Sequence, residues 1–544
     1  MQEVLEVAPG VGKPQVLAWA YRAYARELMI LGRLAPAREE LKEASRWVDS
    51  LGAGTVRARV RADVQLVSAQ ITRREDPRRA RDTLAAVAAA FAEQKLNAHL
   101  AQALYEMSIA AEAAGDRDDA RRTLARAIAA IERQSRSFRS LEDRATFSET
   151  VENLFDMMMG LQLAGDRSDS AFTYLERERL TAWSGQPTRS AASMAAAEPP
   201  SLDRIRPLLP PDMVVVEYAV LKDQLVAWTV SRDGWSTKVQ RIARDSVAAL
   251  VDQTIDEMES TSTDSASAST RLFDLLVRPL NIDSRRFSKL SVIPDRELSR
   301  LPFVALRDTS RKKYLVETFE VRTAPSAAFL MAALTRRGTR SIAGRALVVG
   351  DPLLDTASSA RLAPLPGALD EAQRVASQYR SPQLLKGPQA RRDSVIALLA
   401  TSSVFHFAGH AIINSDQPEL SYLALASTKT GGPDDGLLRA REIGNLHPSN
   451  LKLVVLSACS TLNPRPSHTG AIAGLAYSFL RAGVPATIST LWDVSDAAIS
   501  ELLVDFHHQL VGGRPAAEAL QSAQRAAIKR SAPRVWAAFI YTGP

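Results

Sequence analysis

A cysteine and a histidine occupy similar places in this sequence, each directly after an apolar run. Cys459, the only cysteine among 544 residues, follows LKLVVLSA at 451–458, and His410 follows SVFHFAG at 403–409. A thiolate is a nucleophile, and a nearby imidazole can lower the thiol pKa from about 8.5 or take its proton during attack. The histidine precedes the cysteine by roughly 50 residues, a spacing found in one class of cysteine proteases. The pair therefore predicts a cysteine nucleophile with a histidine base.

Each of these residues also has an ordinary structural explanation. A free cysteine is often a small buried hydrophobe, and a histidine after glycine often belongs to a turn. His406, inside the same apolar run as His410, is expected to be a buried core residue. The sequence contains no HExxH, Cys-x-x-Cys, Walker A or GxGxxG motif, so we expect neither a metal nor a cofactor.

Strands and helices alternate around both candidates, from residue 341 to the end. Apolar, β-branched strands separated by helices indicate a parallel sheet covered on both faces. In such sheets chemistry gathers at the carboxyl ends of the strands. If the strands at 402–410 and 451–459 are neighbours, thiol and imidazole face each other, and backbone N–H groups of Gly409 and Cys459 can form an oxyanion hole. The expected strands lie at 345–352, 402–410, 420–427, 451–459 and 486–494.

Residues 205–340 predict a second, mixed α/β unit that contains no catalytic-looking groups. Its period-2 patterns indicate strands. Residues 185–204 are small, polar and proline-bounded and predict a linker, and 258–270 predicts a loose loop. The expected strands lie at 213–220, 224–231, 235–242, 289–295 and 315–325.

Residues 1–184 predict helices throughout, with weak repetition at spacings near forty residues. This is longer than the 34 residues of a tetratricopeptide repeat, so we expect a TPR-like solenoid of helix pairs, whose surface suits a protein partner. A helical bundle without a ligand explains the pattern equally well. The turns between paired helices are expected at Gly32, Asp76, Gly115 and Gly165, and the closely packing small residues include Ala80, Ala120 and Ala171.

The composition favours a protein of the reducing cytoplasm. A single cysteine excludes an internal disulfide framework. The N-terminal residues have no signal-peptide pattern, and no uncharged run is long enough to cross a membrane. The net charge of +7 permits nucleic-acid contact, but the basic residues are dispersed among acidic ones, so direct nucleic-acid binding is not favoured.

Several sequence blocks together resemble the CHAT family, caspase-like proteases associated with tetratricopeptide repeats and related to separase. The matching blocks are VFHFAGHA, LVVLSACST, AGLAYSFLRAGVPATISTLWDVSD, VWAAFIYTG and SVIPDRELSRLPFVAL, and the resemblance extends over roughly residues 170–544. It implies a caspase-like α/β sandwich after the solenoid, with 205–340 a non-catalytic half and 341–544 the catalytic half. It also implies peptide hydrolysis without metal, with Cys459 as nucleophile and His410 as general base.

Two positions depart from the family pattern. Ala411 stands where many members carry glycine after the catalytic histidine, which reduces backbone freedom there. Ser500 stands where separases carry the acid that receives a P1 arginine, so basic specificity does not carry over. The candidate pocket residues are Asp351, Ser457, Asp493, Asp496 and Ser500. Three of them also have a structural explanation: Asp351 can shape a turn, and Asp493 or Asp496 can cap the following helix.

The sequence therefore predicts a cytoplasmic cysteine endopeptidase for limited, regulated cleavage of a protein substrate. Its helical repeats are expected to bind a partner or regulator, and the family resemblance suggests bacterial defence or cell-death signalling. A catalytically silent helical-repeat scaffold and a nucleic-acid adaptor that uses the net charge are the alternatives.

Overall fold

A computed structural model describes ten stretches of the chain. The described residues are 13–135, 142–184, 199–259, 267–335, 344–354, 362–414, 417–427, 435–458, 474–492 and 496–544. Cys459, Asp493, residues 185–198 of the predicted linker and residues 260–266 of the predicted loop lie outside them. The described end of the linker predicted at 185–204 contains a short helix, Leu202–Ile205. The chain divides into two compact units, Met1–Arg167 and Ser168–Pro544.

The first unit is helical throughout its described residues, as the sequence predicts. Successive helices pack on one another, and α1 also packs on α3. Ala80 and Ala120 are fully buried at these contacts. The described helices are α1 (Pro14–Ile30), α2 (Leu34–Asp49), α3 (Thr55–Thr72), α4 (Pro77–Glu93), α5 (Asn97–Ala113), α6 (Arg117–Ser135) and α7 (Glu142–Leu163).

The turns expected at Gly32, Asp76 and Gly115 lie between helices of this unit, and Gly165 follows its last helix, α7. Asp76 caps α4, because its Oδ1 accepts a hydrogen bond of 3.0 Å from the N–H of Arg79. Gly115 has φ +84° in the turn before α6, a conformation that glycine adopts without steric cost. The region is thus a helical repeat, as expected.

Helix α8 (Ser168–Ser184) belongs to the second unit, although the sequence places it in the repeat domain with a boundary at 184. The cause is its buried Arg179. Nη1 of Arg179 lies 2.6 Å from Oε1 of Glu217, and Nη2 donates to the carbonyl of Pro294 at 3.1 Å. Glu176 accepts hydrogen bonds from the N–H groups of Ala327 and Ala328. The sequence separation ranges from 38 residues, between Arg179 and Glu217, to 152 residues, between Glu176 and Ala328.

Eleven strands form one continuous sheet within the described residues, in the order β3-β2-β1-β4-β7-β16-β15-β14-β10-β8-β9. The first of its strands are β1 (Met213–Val220), β2 (Gln224–Ser231), β3 (Gly234–Arg241), β4 (Lys289–Ile293) and β7 (Glu320–Thr323). The others are β8 (Ala346–Pro352), β9 (Gln383–Gly387), β10 (Val404–Ala408), β14 (Leu453–Ser457), β15 (Ala486–Thr490) and β16 (Phe539–Thr542).

The sheet contains two parallel blocks that meet in an antiparallel pair, and β2 and β3 extend the first block as an antiparallel edge. Strands β1, β4, β7 and β16 are parallel to one another, as are β15, β14, β10, β8 and β9. Strands β15 and β16 pair antiparallel between the blocks. The predicted halves 205–340 and 341–544 therefore share one sheet, and the strand that joins them, β16, comes from the C-terminal end of the second half.

Smaller elements connect and cover these strands. Two small sheets lie outside the main one: β5 (Arg307–Asp308) with β6 (Lys313–Tyr314), and β11 (Ala411–Ile412), β12 (Tyr422–Ala424) and β13 (Leu437–Arg439). The predicted strand at 315–325 begins as a helical turn, Leu315–Thr318. The remaining helices are α9 (Leu202–Ile205), α10 (Arg244–Glu259), α11 (Ser267–Leu276), α12 (Leu315–Thr318), α13 (Ala327–Thr335), α14 (Pro366–Ser377), α15 (Arg392–Leu399), α16 (Ala440–Ile443), α17 (Leu475–Arg481), α18 (Asp496–Val511), α19 (Ala516–Ile528) and α20 (Pro533–Trp536).

The central strands of the second parallel block are buried on both faces. All residues of β10, β14 and β15 are buried, as expected for parallel strands with helices on both sides. Close packing of the sheet against α14 requires a glycine at 350, because a Cβ there would lie 2.4 Å from the Cβ of Ala372. No described helix has the length and apolar character needed to cross a bilayer.

Candidate active site at the carboxyl ends of the central strands

The two strands that lead to His410 and Cys459 are adjacent and parallel. Residues of β10 and β14 pair in register, from Val404 with Leu453 to Ala408 with Ser457. His410 follows the end of β10 by two residues. Cys459 follows the end of β14 by two residues and lies outside the described part of the chain. The sequence-based condition that these strands be neighbours is met.

A backbone carbonyl fixes the orientation of the His410 imidazole. Nε2 of His410 lies 2.8 Å from the carbonyl oxygen of Ala363. A carbonyl only accepts hydrogen bonds, so Nε2 carries a proton, and in the neutral ring the lone pair is on Nδ1. The His410 carbonyl in turn accepts from the N–H of Ala424 at 2.9 Å. The half-buried ring is thus held in the tautomer that offers Nδ1 as a base.

Asp351 holds the segment that provides this carbonyl. It lies near the end of β8 with φ +42°, a backbone conformation that aspartate and asparagine tolerate better than most residues. Its Oδ1 accepts a hydrogen bond of 2.8 Å from the N–H of Leu365. Ala363 lies two residues before Leu365, directly ahead of α14. Asp351, a pocket candidate from the sequence, therefore anchors the loop that orients His410.

Neither neighbour of His410 has an unusual backbone conformation, and only Gly409 is restricted by the space around it. A Cβ at Gly409 would lie 3.0 Å from Phe407 Cζ and 3.1 Å from Pro352 Cδ, so a larger residue would displace its neighbours. Ala411 begins β11 and pairs with Leu423 of β12. An alanine fits there because an extended strand needs no glycine conformation.

On the cysteine side, Thr490 anchors the last described residue of the strand. Its Oγ1 donates a hydrogen bond of 2.5 Å to the carbonyl of Ala458, directly before Cys459 in the chain. Thr490 ends the neighbouring strand β15. Thr490 is not among the site residues predicted from the sequence, because the expected strand, 486–494, extends beyond it. Ser457, another pocket candidate, is buried at the end of β14.

The remaining pocket candidates lie on or before α18. Asp496 is the first residue of this helix. Ser500 is buried and accepts a hydrogen bond of 3.0 Å from Nη1 of Arg374 on α14. Its hydroxyl thus serves the contact between two helices.

A buried chain of polar side chains lies behind β10. His406 is fully buried, as expected, and its Nε2 lies 2.9 Å from Oε1 of Glu371. His406 Nδ1 lies 3.1 Å from Nε2 of His507, whose Nδ1 is 2.7 Å from the hydroxyl of Tyr379. Burial, and then the neighbouring His406, hold the pKa of His507 well below its usual range. Burial raises the pKa of Tyr379. This series of hydrogen-bonded side chains links β10 to α18 and to the end of α14.

Comparison with known proteins identifies the family. The model of the CHAT domain matches residues 266–544, just over half of the chain. The chain belongs to the CHAT-domain family. Within this CHAT-domain protein, strands β1 to β3 precede the matched range yet belong to the same sheet. Helical repeats before a mainly parallel sheet domain confirm the expected fold class.

The CHAT-domain protein also resembles tetratricopeptide repeat protein 28 from Homo sapiens and from Mus musculus. Each is 28% identical over 325 aligned residues, which include 50% of this chain and 13% of the relative. Two crystal structures of the Saccharomyces cerevisiae separase–securin complex align over 100% and 99% of this chain and 48% of theirs. Their sequence identities are 11% and 10%, and their TM-scores are 0.48 and 0.47. The chain thus spans a small part of its curated relatives and about half of the separase chains.

Proposed function

We propose that this CHAT-domain protein is a cysteine endopeptidase that cleaves a protein substrate at a limited number of sites. Cys459 is the nucleophile and His410 the general base. The observation that carries the proposal is the hydrogen bond from His410 Nε2 to the Ala363 carbonyl, which leaves the Nδ1 lone pair for a thiol. The parallel register of β10 and β14 supports it, because His410 and Cys459 follow neighbouring strands.

The chemistry proceeds through an acyl-enzyme. Nδ1 of His410 takes the thiol proton, and the thiolate attacks the scissile carbonyl carbon. The resulting oxyanion is stabilised by the N–H groups of Gly409 and Cys459. His410 then gives its proton to the leaving amine as the C–N bond breaks. Water, deprotonated by His410, attacks the thioester, and the carboxylic acid and free thiol are released.

Asp351 acts in this scheme as a positioning residue rather than as a pocket acid. Its carboxylate is already engaged by the N–H of Leu365, and the same loop orients His410. Ser457, Asp493, Asp496 and Ser500 stay candidates for the pocket of the P1 side chain.

We propose that the helical repeats bind a protein partner or regulator that controls cleavage. Such an arrangement suits regulated limited proteolysis in the cytoplasm, in bacterial defence or cell-death signalling as the family resemblance suggests. The supporting observation is the separate helical unit that precedes the sheet domain.

The first test is the alkylation rate of Cys459 at neutral pH. The protein has one cysteine, so intact mass after reaction with iodoacetamide or a peptidyl acyloxymethyl ketone reports this residue alone. We expect labelling at least about tenfold faster than in the urea-unfolded chain, absent in Cys459→Ala and slowed in His410→Ala. Labelling no faster than in the unfolded chain, and unchanged in His410→Ala, would favour the silent scaffold.

A further inference from the structure

Helix α14 makes two connections to the strand that leads to His410. Directly ahead of the helix, the carbonyl of Ala363 accepts the hydrogen bond of 2.8 Å from His410 Nε2. Within the helix, Oε1 of Glu371 lies 2.9 Å from Nε2 of His406 on β10. His410 follows His406 by four residues, whereas Ala363 precedes Glu371 by eight. Helix α14 therefore runs back along β10, away from the candidate site.

The connection within the helix is shielded from water. Glu371 and His406 are 1% and 0% exposed. Nδ1 of His406 lies 3.1 Å from Nε2 of His507, whose Nδ1 is 2.7 Å from the Tyr379 hydroxyl. Burial and the neighbouring His406 hold the pKa of His507 low, which keeps its ring neutral. With Glu371 as the acceptor, each ring donates through one nitrogen and accepts through the other. The His406 ring is thus held in place and offers Glu371 one position to bind.

The connection at the start of the helix has no such protection. His410 is half-buried and Ala363 is exposed, so water competes for both partners of their hydrogen bond. A shift of α14 by about 0.5 Å also takes this bond from 2.8 Å beyond the usual limit of about 3.2 Å. The bond therefore depends on contacts elsewhere that hold the helix in place along β10.

We propose that Glu371 and His406 are positioning residues for His410. Their buried hydrogen bond fixes α14 along β10 and so keeps the carbonyl ahead of the helix within reach of His410 Nε2. Asp351 ties the same loop to β8, whereas His406 ties the helix to the strand that leads to His410. This inference deepens the proposed function and rests on it, because it explains how the general base is oriented. The orientation of His410 can nevertheless be measured without any cleavage.

The mobility of the His410 ring tests this role directly. In the full chain labelled with ¹³C at the histidine Cε1 positions, His410→Ala assigns the signal among those of the seven histidines. Glu371→Asp keeps the charge but shortens the side chain by one methylene, so either the bond to His406 is lost or the helix moves. We expect the order parameter of the His410 ring to fall from about 0.85 in the wild type to below about 0.6. Glu371→Gln keeps an acceptor on a side chain of the same length and should stay near the wild type.

Two further variants make the test specific for this hydrogen bond. His406→Asn removes the partner of Glu371 from the strand side and should loosen the His410 ring as Glu371→Asp does. Arg374→Met is the matched control on α14, because Nη1 of Arg374 donates to the Ser500 hydroxyl at 3.0 Å and connects the helix to α18 instead of β10. It should leave the His410 ring unchanged. Urea unfolding shows that each variant is folded under the conditions of the measurement.

The proposal would be overturned by a His410 ring that stays rigid in both Glu371→Asp and His406→Asn. It would also be overturned by an equal fall of the order parameter in Arg374→Met, since a general loosening of the helix would then explain the effect.

Cys459 alkylation separates this inference from the protease proposal. We expect Glu371→Asp to slow alkylation several-fold and to have no further effect in the His410→Ala background, because it acts through His410. Equal slowing in both backgrounds would contradict the positioning role. A looser His410 ring, together with an alkylation rate that His410→Ala leaves unchanged, would support the positioning role and refute the protease.

Discussion

Arg179 offers a sharp test of how α8 is held in the sheet unit. It is fully buried, with Glu217 at 2.6 Å and the Pro294 carbonyl at 3.1 Å. Arg179→Met keeps an apolar side chain of similar length but removes the cation. Glu217 then stays buried without its counter-charge, and such a loss costs about 3–5 kcal/mol.

The cost of Arg179→Met should depend on pH with a defined sign. In the wild type, burial and then the charge of Glu176 raise the pKa of Glu217 well above its ordinary value, while Arg179 lowers it. Without Arg179 the folded-state pKa rises further, whereas the unfolded value stays near about 4.3. Above that value the folded variant binds more protons than the unfolded chain, so its stability falls as pH rises. The cost of the substitution grows by about 1.4 kcal/mol per pH unit over the range in which Glu217 is protonated in the folded variant but ionised in the folded wild type.

Urea unfolding followed by tryptophan fluorescence measures this cost at several pH values. Trp228 reports on α8 directly, because its Nε1 donates to the carbonyl of Ser168 at 2.9 Å. Arg179→Met/Glu217→Gln should recover part of the loss, since a neutral amide replaces the isolated carboxylate. Arg177→Met is the matched control on the same helix, where a cation–π contact with Tyr174 is worth about 0.5–1 kcal/mol. A cost below about 1 kcal/mol for Arg179→Met, or one independent of pH, would refute this reasoning.

Substitutions at three further residues probe the neighbourhood of the candidate site. Asp351→Ala should slow Cys459 alkylation several-fold because the Leu365 N–H loses its acceptor, whereas Asp351→Asn keeps an acceptor and the same backbone conformation and should react nearly as wild type. Thr490→Val removes the hydrogen bond to Ala458 and should also slow alkylation, at a stability cost of about 1 kcal/mol in urea unfolding. Burial lowers the pKa of His507 in the folded state, so the unfolded chain binds more protons below about pH 6.5. Wild-type stability should therefore fall by up to about 1.4 kcal/mol for each unit by which the pH is lowered in that range. His507→Asn should flatten this slope, and an unchanged slope would show that His507 does not titrate on unfolding.

The positions of most buried strands could be predicted from local patterns. The alternating or continuous apolar runs of β1 and β2 give the observed bounds, 213–220 and 224–231. The site prediction required the two strands that lead to His410 and Cys459 to be neighbours, and β10 and β14 are neighbours. These predictions succeed because burial on both faces is encoded in consecutive residues.

Other features depend on contacts that have no local signature. The carbonyl of Ala363 orients His410, and any residue type provides a carbonyl. Strand β9 is half-exposed at the sheet edge, so its sequence QLLKG lacks the continuous apolar run of a buried strand. Helix α8 has the pattern of the preceding repeats, and only its distant partners Glu217 and Pro294 reveal that it packs in the sheet unit.

The position of β16 has a consequence for synthesis on the ribosome. Phe539–Thr542 pairs with both β7 and β15, in the middle of the sheet. While the chain is being translated, the two parallel blocks therefore lack the strand that joins them until these residues have left the exit tunnel. A nascent chain that already carries His410 and Cys459 has an unfinished central sheet. We expect ribosome-stalled chains ending before Phe539 to show no rapid Cys459 alkylation, because the sheet that positions His410 still lacks its central strand.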